Sequence, residues 1–214
     1  MSTTNFQLEH RLRGLYAVSP DRSDTARLLA EVGAAIQGGC RILQYRNKPA
    51  ERTLKIEQVA LLAKICKSAG VCFIVNDEID LALEAGADGV HLGAEDGDPA
   101  AARKRLGADR ILGVSCYNDP ARVNSAVCAG ASYVALGAMF PSGTKPAAVR
   151  ASLELLRSVK AECPVPVVTI GGITLANAPS LIAAGADMVA VVSNLFEAPD
   201  IRVQALAFQN LFNS

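Results

Sequence analysis

Short apolar runs alternate along the chain with longer segments whose apolar residues follow a helical spacing. Runs rich in Val, Ile, Leu and Ala are typical of strands buried on both faces of a parallel sheet, and the longer segments are typical of amphipathic helices. The pattern predicts strands at 14–19, 41–46, 71–75, 89–92, 111–115, 133–139, 166–170 and 188–192.

A helix is predicted after every strand. Asp24 is suited to cap the first helix, Gly38 and Gly39 to end it, and Pro120 to occupy the first turn of the fifth. The predicted helices cover 24–37, 51–68, 78–84, 99–106, 148–162, 175–184 and 201–212, and the fifth begins at 120. Strict alternation of strands and helices is typical of α/β proteins with a parallel sheet.

A nine-residue pattern recurs where a helix passes into a strand. It reads A-G-A-D-G-V-H-L-G at 85–93, A-G-A-S-Y-V-A-L-G at 129–137 and A-G-A-D-M-V-A-V-V at 184–192, with a looser copy at 38–45. Each copy has a glycine where a helix ends, followed by a run that suits a strand. A junction repeated in this way favours an α/β fold of the (β/α)8 TIM barrel type, with an open doubly wound sheet as the weaker alternative.

Size and charge narrow the class of protein. The chain has 214 residues, half of them hydrophobic, which suits one domain over 1–214 with an N-terminal extension at 1–13 that we expect to be poorly ordered. Acidic and basic residues balance at 21 each, which argues against binding to nucleic acid or to an anionic membrane. The polar start of the chain and the lack of a long uncharged run predict a soluble cytoplasmic protein.

In a barrel of this kind, the residues after the carboxyl ends of the strands form the active face. After the second strand, Gln44, Arg46 and Lys48 occupy every other position, so their side chains lie on one side of an extended chain. Arginine and lysine there are suited to phosphate oxygens. A solvated strand end is the simpler alternative.

Oxygen ligands follow the third and fourth strands, at Asn76, Asp77, Glu95 and Asp96. Because both strands end on the same side of the sheet, Asp77 and Asp96 are expected to be neighbours in space. Magnesium in proteins typically takes one or two carboxylates and completes its shell with water and substrate phosphate. The pair therefore fits a metal–diphosphate site, while Asp77 could equally cap the following helix.

Three loops after later strands carry features of phosphate sites. The F-P-S-G-T-K-P loop at 140–146 combines two hydroxyls, a glycine and a lysine without the spacing of a P-loop, and could also be a plain surface turn. I-G-G-I at 170–173 and V-S-N at 192–194 are suited to hold a phosphate on backbone amides. Together with strands two to four, these loops predict two phosphorylated substrates that meet over one barrel mouth.

Two side chains within the strands have a simpler structural explanation. His91 lies inside the fourth strand, and a hydrogen-bonded core histidine is a simpler interpretation there than a catalytic acid or base. Tyr45 is most simply explained by packing against the core or a helix.

The polar motifs occur in an order that resembles thiamine-phosphate synthase. They are Q-Y-R-N-K at 44–48, N-D at 76–77, G-A-D-G-V-H-L-G-A-E-D at 86–96, G-V-S at 113–115, F-P-S-G-T-K at 140–145 and I-G-G-I at 170–173. The resemblance covers nearly the whole chain. It implies a transferase that moves a hydroxymethylpyrimidine group from its diphosphate to the ring nitrogen of a thiazole phosphate and releases pyrophosphate, with Mg²⁺ as the cofactor.

The resemblance also assigns roles to individual residues. The pyrimidine diphosphate would be held by Gln44, Tyr45, Arg46, Asn47, Lys48, Asn76, Ser115 and Lys145. The thiazole phosphate would be held by Ser142, Gly143, Thr144, Gly172, Val192 and Ser193, and the metal by Asp77 and Asp96. Ser115, Lys145 and Arg46 would be catalytic, because the two cations stabilise the leaving pyrophosphate and Ser115 donates to the leaving oxygen.

Three residues depart from the family pattern. Asn47 stands where an acidic residue is usual, Ala94 where glutamine is frequent and Ser142 where threonine is usual.

Other functions remain as alternatives to the synthase. A thiazole tautomerase-like isomerase is the nearest alternative, although it does not need a diphosphate–metal site. A sugar-phosphate enzyme would need an acid/base pair that the strand ends lack. A non-catalytic protein that binds thiamine precursors is a further alternative, and analogy of fold suggests a homodimer.

Overall fold

Eight parallel strands form a closed barrel in which each strand pairs with its neighbours in sequence and β8 pairs with β1. The computed structural model describes residues 12–141 and 149–213. The strands are β1 Gly14–Val18, β2 Ile42–Tyr45, β3 Cys72–Asn76, β4 Gly89–Leu92, β5 Ile111–Tyr117, β6 Tyr133–Gly137, β7 Val167–Ile170 and β8 Met188–Val191. The predicted (β/α)8 TIM barrel is confirmed, and the open sheet is excluded.

Helices cover the outside of the barrel. In the described residues they are α1 Thr25–Gln37, α2 Arg52–Ala69, α3 Ile79–Glu84, α4 Pro99–Leu106, α5 Pro120–Cys128, α6 Leu153–Glu162, α7 Ala178–Ala183, α8 Ser193–Phe196 and α9 Ile201–Asn210. The sequence pattern does not predict α8, because a helix of 4 residues is too short to show a period. Among the described residues, no helix has the length and apolar character needed to span a bilayer.

Two predicted helix boundaries are wrong. Helix α7 begins at Ala178 rather than at 175, because Asn177 Oδ1 accepts a hydrogen bond from Thr174 N at 2.8 Å and holds the preceding residues in a turn. Helix α6 begins at Leu153, after the N-cap Ser152, rather than at 148. The predicted strand ends agree with the structure to within 2 residues.

The fourth residue of the recurring junction pattern ties neighbouring strands together. Asp88 Oδ2 accepts a hydrogen bond from Phe73 N in β3 at 2.8 Å, and Asp187 Oδ2 accepts one from Val167 N in β7 at 2.8 Å. The hydroxyl of Ser132 does the same for β5 at 3.1 Å. Each of these side chains therefore holds the start of the preceding strand at the amino end of the barrel.

The barrel interior has its own core, separate from the larger core between strands and helices. Tyr16, Ile74, Tyr133 and Met188 belong to this inner core, and so does Leu12, which precedes β1. Leu12 is therefore part of the barrel rather than of a poorly ordered extension, whereas residues 1–11 of that predicted extension lie outside the described residues. Because apolar and aromatic side chains fill the interior, polar groups are left to the mouth at the carboxyl ends of the strands.

Candidate active site

A cavity of about 1130 Å³ opens at the carboxyl ends of the strands. The predicted site residues that line it are Gln44, Arg46, Lys48, Asn76, Asp77, Asp96, Ser115, Gly172, Val192 and Ser193. Ser142, Gly143, Thr144 and Lys145 lie outside the described residues. Residues that are distant in sequence meet here because all the strands end on the same side of the closed sheet.

Tyr45 and Asn47, two predicted ligands of the diphosphate, do not line the cavity. Tyr45 OH donates to Gln58 Oε1 of α2 at 2.8 Å. Asn47 Nδ2 donates to the same oxygen at 3.1 Å and to Arg22 O at 2.7 Å. The alternation that directs Gln44, Arg46 and Lys48 inward turns their neighbours outward. Both side chains brace β2 against the helix layer, so the departure from the family pattern at position 47 lies outside the cavity.

Arg46 and Lys48 form what we call the basic wall. Ser19 Oγ accepts from Arg46 N at 2.8 Å and donates to Arg46 O at 3.1 Å, which fixes this strand end against β1. Arg46 Nη1 lies 3.5 Å from Asp21 Oδ1, and Lys48 Nζ lies 3.3 Å from Asp77 Oδ2. Both cations are thus paired loosely with carboxylates and are able to turn to an incoming phosphate.

Asp77 and Asp96 form a carboxylate pair opposite Lys48. Asp77 has a left-handed φ of 64°, and its amide donates to His91 O at 2.8 Å. Asp96 Oδ2 accepts from Gly93 N at 2.8 Å. Burial raises the pKa of Asp77, and Asp96 raises it further as a hydrogen-bond partner and as a like charge, whereas Lys48 lowers it. Two carboxyl groups held this close favour a shared proton or a shared cation.

The capping alternative for Asp77 does not hold, because the N-cap of α3 is Glu78. The arrangement fits magnesium, since two carboxylates stand beside the basic wall and the cavity leaves room for water and phosphate oxygens. Within 12–141 and 149–213, no group of three or more His, Cys, Asp or Glu side chains is suited to a metal. A magnesium ion here would therefore depend on substrate or water for its remaining ligands.

The opposite wall is built from the loops after β7 and β8. Gly172 has a φ of 64°, and a Cβ added to it would overlap Pro141 O and Phe140 O, so only glycine fits where the loops after β6 and β7 pass each other. The backbone amides of Gly172 and Ile173 donate to no acceptor among the described residues. Gly172, Ile173 and Ser193 all line the cavity, so their amides and the serine hydroxyl are suited to bind an anion there.

Five polar side chains form a continuous chain of hydrogen bonds beneath the cavity. Gln44 Nε2 donates to Tyr16 OH at 2.8 Å, and Tyr16 OH lies 2.7 Å from Tyr133 OH. His91 continues the chain, with Nδ1 3.0 Å from Tyr133 OH and Nε2 2.8 Å from Ser115 Oγ. Burial lowers the pKa of His91 to about 4, so its ring is neutral near neutral pH. The interpretation of His91 as a hydrogen-bonded interior histidine agrees with this geometry.

Ser115 owes its position to an irregularity in β5. The register of β5 against β6 shifts between Ser115 and Tyr117, and Arg122 Nε donates to Ser115 O at 2.7 Å. A bulge of this kind re-aims the side chains around it. Tyr117, with a φ of 55°, also reaches the cavity.

The sequence motifs miss several polar residues that line the cavity, among them Tyr16, Asp21 and Tyr117. Alternation along β1 could have found Tyr16, since it shares the inner face with Val18. Asp21 follows the end of β1, where barrel enzymes carry polar site residues. Nothing in the sequence indicates Tyr117, because its direction depends on the bulge.

Comparison with known proteins identifies the family. The family model described as thiamine monophosphate synthase matches residues 15–195. The chain belongs to this family. It is 54% identical over 204 residues to a protein of Aromatoleum aromaticum named thiamine-phosphate synthase, covering 95% of this chain and 98% of the relative. A protein of the same name from Bordetella pertussis is 50% identical over 206 residues, covering 94% and 95% of the two chains.

A solved structure agrees with the sequence relatives. Thiamine phosphate pyrophosphorylase from Pyrococcus furiosus superposes with a TM-score of 0.86 at 30% identity, covering 96% of this chain and 98% of the other. The expected function, thiamine-phosphate synthesis by a transferase on a (β/α)8 barrel, is confirmed.

Proposed function

We propose that the cavity binds a pyrimidine diphosphate and a thiazole phosphate side by side and joins them into thiamine phosphate with release of pyrophosphate. One observation carries this assignment of substrates. Two groups of anion-binding donors face each other across a single cavity, the basic wall with its carboxylate pair on one side and the Gly172 loop with Ser193 on the other. A site for one phosphorylated substrate would need only one of them.

The pyrimidine diphosphate belongs on the side of β2 to β5. Arg46 and Lys48 supply a planar fork and a point charge for its oxygens, and Asn76 adds an amide at the end of β3. Their present partners, Asp21 and Asp77, are loosely bound and partly exposed, so substrate exchange has a low cost. The family resemblance adds Lys145, which lies outside the described residues.

Asp77 and Asp96 are the residues that would hold Mg²⁺ beside this diphosphate. The raised pKa of Asp77 reflects negative charge that the metal-free pair accommodates poorly. When bound there, Mg²⁺ would supply positive charge that stabilises pyrophosphate as a leaving group. Lys48 would then be available to pair with the diphosphate instead of Asp77.

The thiazole phosphate belongs on the opposite side, on the amides of the Gly172 loop and at Ser193. The amides among these donors are held in place by the backbone and are suited to a phosphate oxygen. A phosphate held there directs the thiazole ring toward the middle of the cavity. The two substrates then approach each other from opposite walls.

The reaction requires the carbon–oxygen bond of the pyrimidine CH₂–diphosphate to break and a bond from the thiazole nitrogen to that carbon to form. The electron pair of the broken bond leaves with pyrophosphate, and the nitrogen lone pair makes the new bond. Arg46 stabilises the negative charge that collects on the leaving group, and Ser115 donates a hydrogen bond to the leaving oxygen. No protein nucleophile is required. Fixing both rings in this geometry can supply roughly 7 to 11 kcal/mol of the barrier.

The decisive experiment measures thiamine phosphate formed from the pyrimidine diphosphate and thiazole phosphate, with and without Mg²⁺. We expect product only with the metal, and a loss of about 100-fold in Asp77→Asn. Asp80→Asn is the matched control, because Asp80 pairs with Arg105 on the helix layer and should leave turnover unchanged. Wild-type protein that binds thiazole phosphate but forms no product would refute the transfer reaction, and equal losses in both variants would refute the metal site.

A further inference from the structure

The hydrogen-bond chain beneath the cavity connects two residues that both face the substrate. Gln44 stands on β2 and Ser115 on β5, and both line the cavity, as do Tyr16 and His91. Tyr16, Tyr133 and His91 link them, with successive distances of 2.8, 2.7, 3.0 and 2.8 Å from Gln44 to Ser115. Four of the five side chains are buried, and only Ser115 is partly accessible. The chain therefore exchanges few of its hydrogen bonds with solvent.

Tyr133 is the part of this chain that cannot touch a substrate. It is fully buried and does not line the cavity. Its ring stacks on His91 with centroids 5.6 Å apart and meets Tyr16 edge to face at 5.8 Å. A Cβ added to Gly113 would overlap the hydroxyl end of this ring, so β5 carries a glycine where the tyrosine passes. Its position is thus set by packing and by its hydrogen bonds to Tyr16 and His91.

The distances in the chain allow its donors and acceptors to run in one direction from Gln44 to Ser115. Gln44 Nε2 donates to Tyr16, the Tyr16 hydroxyl can then donate to Tyr133, and the Tyr133 hydroxyl can donate to His91 Nδ1. A neutral imidazole that accepts at Nδ1 carries its hydrogen on Nε2. His91 Nε2 then donates to Ser115 Oγ. With its oxygen occupied in this way, the hydroxyl hydrogen of Ser115 is free to point into the cavity.

We propose that His91 is a positioning residue, which acts with Tyr133 to hold the Ser115 hydroxyl as a hydrogen-bond donor to the substrate. The reverse direction would require Ser115 to donate to His91 and would leave the cavity facing an acceptor. The Gln44 amide favours the direction from Gln44 to Ser115, since its nitrogen donates to Tyr16 and its oxygen remains as the group that accepts from a substrate. The two substrate-facing groups are therefore matched as one acceptor and one donor. This inference rests on the proposed transfer reaction, in which a donor at Ser115 assists the leaving oxygen.

A double-mutant cycle tests whether Tyr133 and His91 act through Ser115. In single-turnover measurements we expect Tyr133→Phe to slow product formation about tenfold, and Ser115→Ala about 100-fold. If the chain acts through Ser115, adding Tyr133→Phe to Ser115→Ala should change the rate by less than about twofold, because coupled groups are not additive. A further tenfold loss in the double variant would mean that Tyr133 supports only the fold, and would overturn the proposal.

Two controls accompany this cycle. Thr169→Val removes another buried hydroxyl, but on the face of β7 turned away from the inner core, and it should leave the single-turnover rate unchanged. His91→Gln keeps a side-chain N–H in reach of Ser115 and should retain more of the rate than His91→Ala. Equal rates for these two histidine variants would contradict a positioning role.

The ring nitrogens of His91 provide a test that does not depend on catalysis. In ¹⁵N-labelled protein carrying His10→Gln, the remaining histidine should show a protonated Nε2 and an unprotonated Nδ1, and Tyr133→Phe should weaken that preference. Finding hydrogen on Nδ1 in the wild-type ring would overturn the proposal whatever the enzyme does. Absence of product formation with the expected tautomer would instead refute the proposed reaction and leave the direction of the hydrogen-bond chain intact.

Discussion

Lys48 Nζ lies 3.3 Å from Asp77 Oδ2, so the ends of β2 and β3 are joined by an ion pair inside the cavity. The lysine side chain is 53% exposed and the aspartate side chain 22%. The lysine is therefore the more exposed member of the ion pair, and the aspartate is the more buried one. Under the proposed function, the two groups would separate, with Lys48 pairing with the diphosphate and Asp77 with the metal.

Replacing Lys48 should weaken binding of the diphosphate. We expect Lys48→Gln to raise KM for the pyrimidine diphosphate about tenfold, with little change in KM for thiazole phosphate, because one charged contact to the diphosphate is lost. Lys55→Gln is the matched control, since Lys55 pairs with Glu78 at 2.8 Å outside the cavity. Steady-state kinetics with each substrate varied in turn would show it. A rise in KM for thiazole phosphate alone would contradict the placement of the diphosphate beside Lys48.

The affinity of the site for Mg²⁺ should fall as pH decreases. The fall should begin at a higher pH than at a site built from aspartates of ordinary pKa. Asp77 has a raised pKa, chiefly because it is buried and then because of Asp96, so protons compete with the metal as pH falls through that raised value. Calorimetric titration of Mg²⁺ without pyrophosphate, whose own groups release protons when they bind the metal, should show proton release that increases as pH falls below neutral. The same proton release in Asp77→Asn would show that another group is responsible.

The same raised pKa has an effect on stability. A carboxyl whose pKa is higher in the folded state stabilises the fold when protonated, and this contribution is lost as pH rises through the folded pKa. Metal-free Asp77→Asn should therefore melt at a higher temperature than the wild type near neutral pH, and the difference should shrink in acid. A lower melting temperature than the wild type near neutral pH would contradict the cost of a charged Asp77 that burial and the neighbouring Asp96 impose.

His91 should make the fold sensitive to acid. Its pKa is lowered to about 4 in the folded state by burial, compared with about 6.5 in an unfolded chain. The stabilisation is complete above about pH 6.5 and is lost as pH falls through the folded value, by a total of about 3 kcal/mol. Urea unfolding at about pH 7 and about pH 4.5 should show a smaller loss of unfolding free energy for His91→Gln. The variant His10→Gln is the control. A reduced dependence of its unfolding free energy on pH would assign the acid sensitivity to His10 instead of His91.

The glycine at position 172 should be required for phosphate binding and not only for backbone conformation. Gly172→Ala places a Cβ against Pro141 O and Phe140 O, which displaces the loop whose amides face the cavity. We expect KM for thiazole phosphate to rise about tenfold or more. Gly70→Ala is the matched control, because Gly70 has a φ of 68° and open space around it, so it pays only the left-handed penalty. Similar kinetics for both variants would contradict the phosphate loop.

Asp187 should contribute to stability alone. Its Oδ2 accepts from Val167 N at 2.8 Å and from Lys160 Nζ at 2.6 Å, at the end of the barrel opposite the cavity. Asp187→Ala leaves the amide of Val167 without its acceptor and should lower the free energy of unfolding by about 1 to 3 kcal/mol. Steady-state kinetics below the melting temperature should match the wild type. A specific rise in KM would show that the amino end of the barrel communicates with the site.

The sequence pattern alone predicted the barrel and most of the site, for reasons that are local. The length and spacing of apolar runs distinguish strands from helices, and alternation of the two implies a parallel sheet. Parallel strands end on one side of the sheet, so the sequence alone places Gln44, Arg46, Lys48, Asp77 and Asp96 at one end of the barrel, where they line one cavity. The repeated junction pattern also indicated the closed barrel, although the bond from Asp187 to the preceding strand was not foreseen.

Tertiary structure decided whatever depends on two distant strands meeting across the barrel. Tyr16 and Tyr133 share a hydrogen bond although 117 positions separate them, and no local pattern specifies that contact. It also excluded Asp77 as a helix cap and turned Tyr45 and Asn47 toward α2. Such contacts are set by strand register and barrel closure, which arise from packing of the whole chain rather than from the preferences of any one segment.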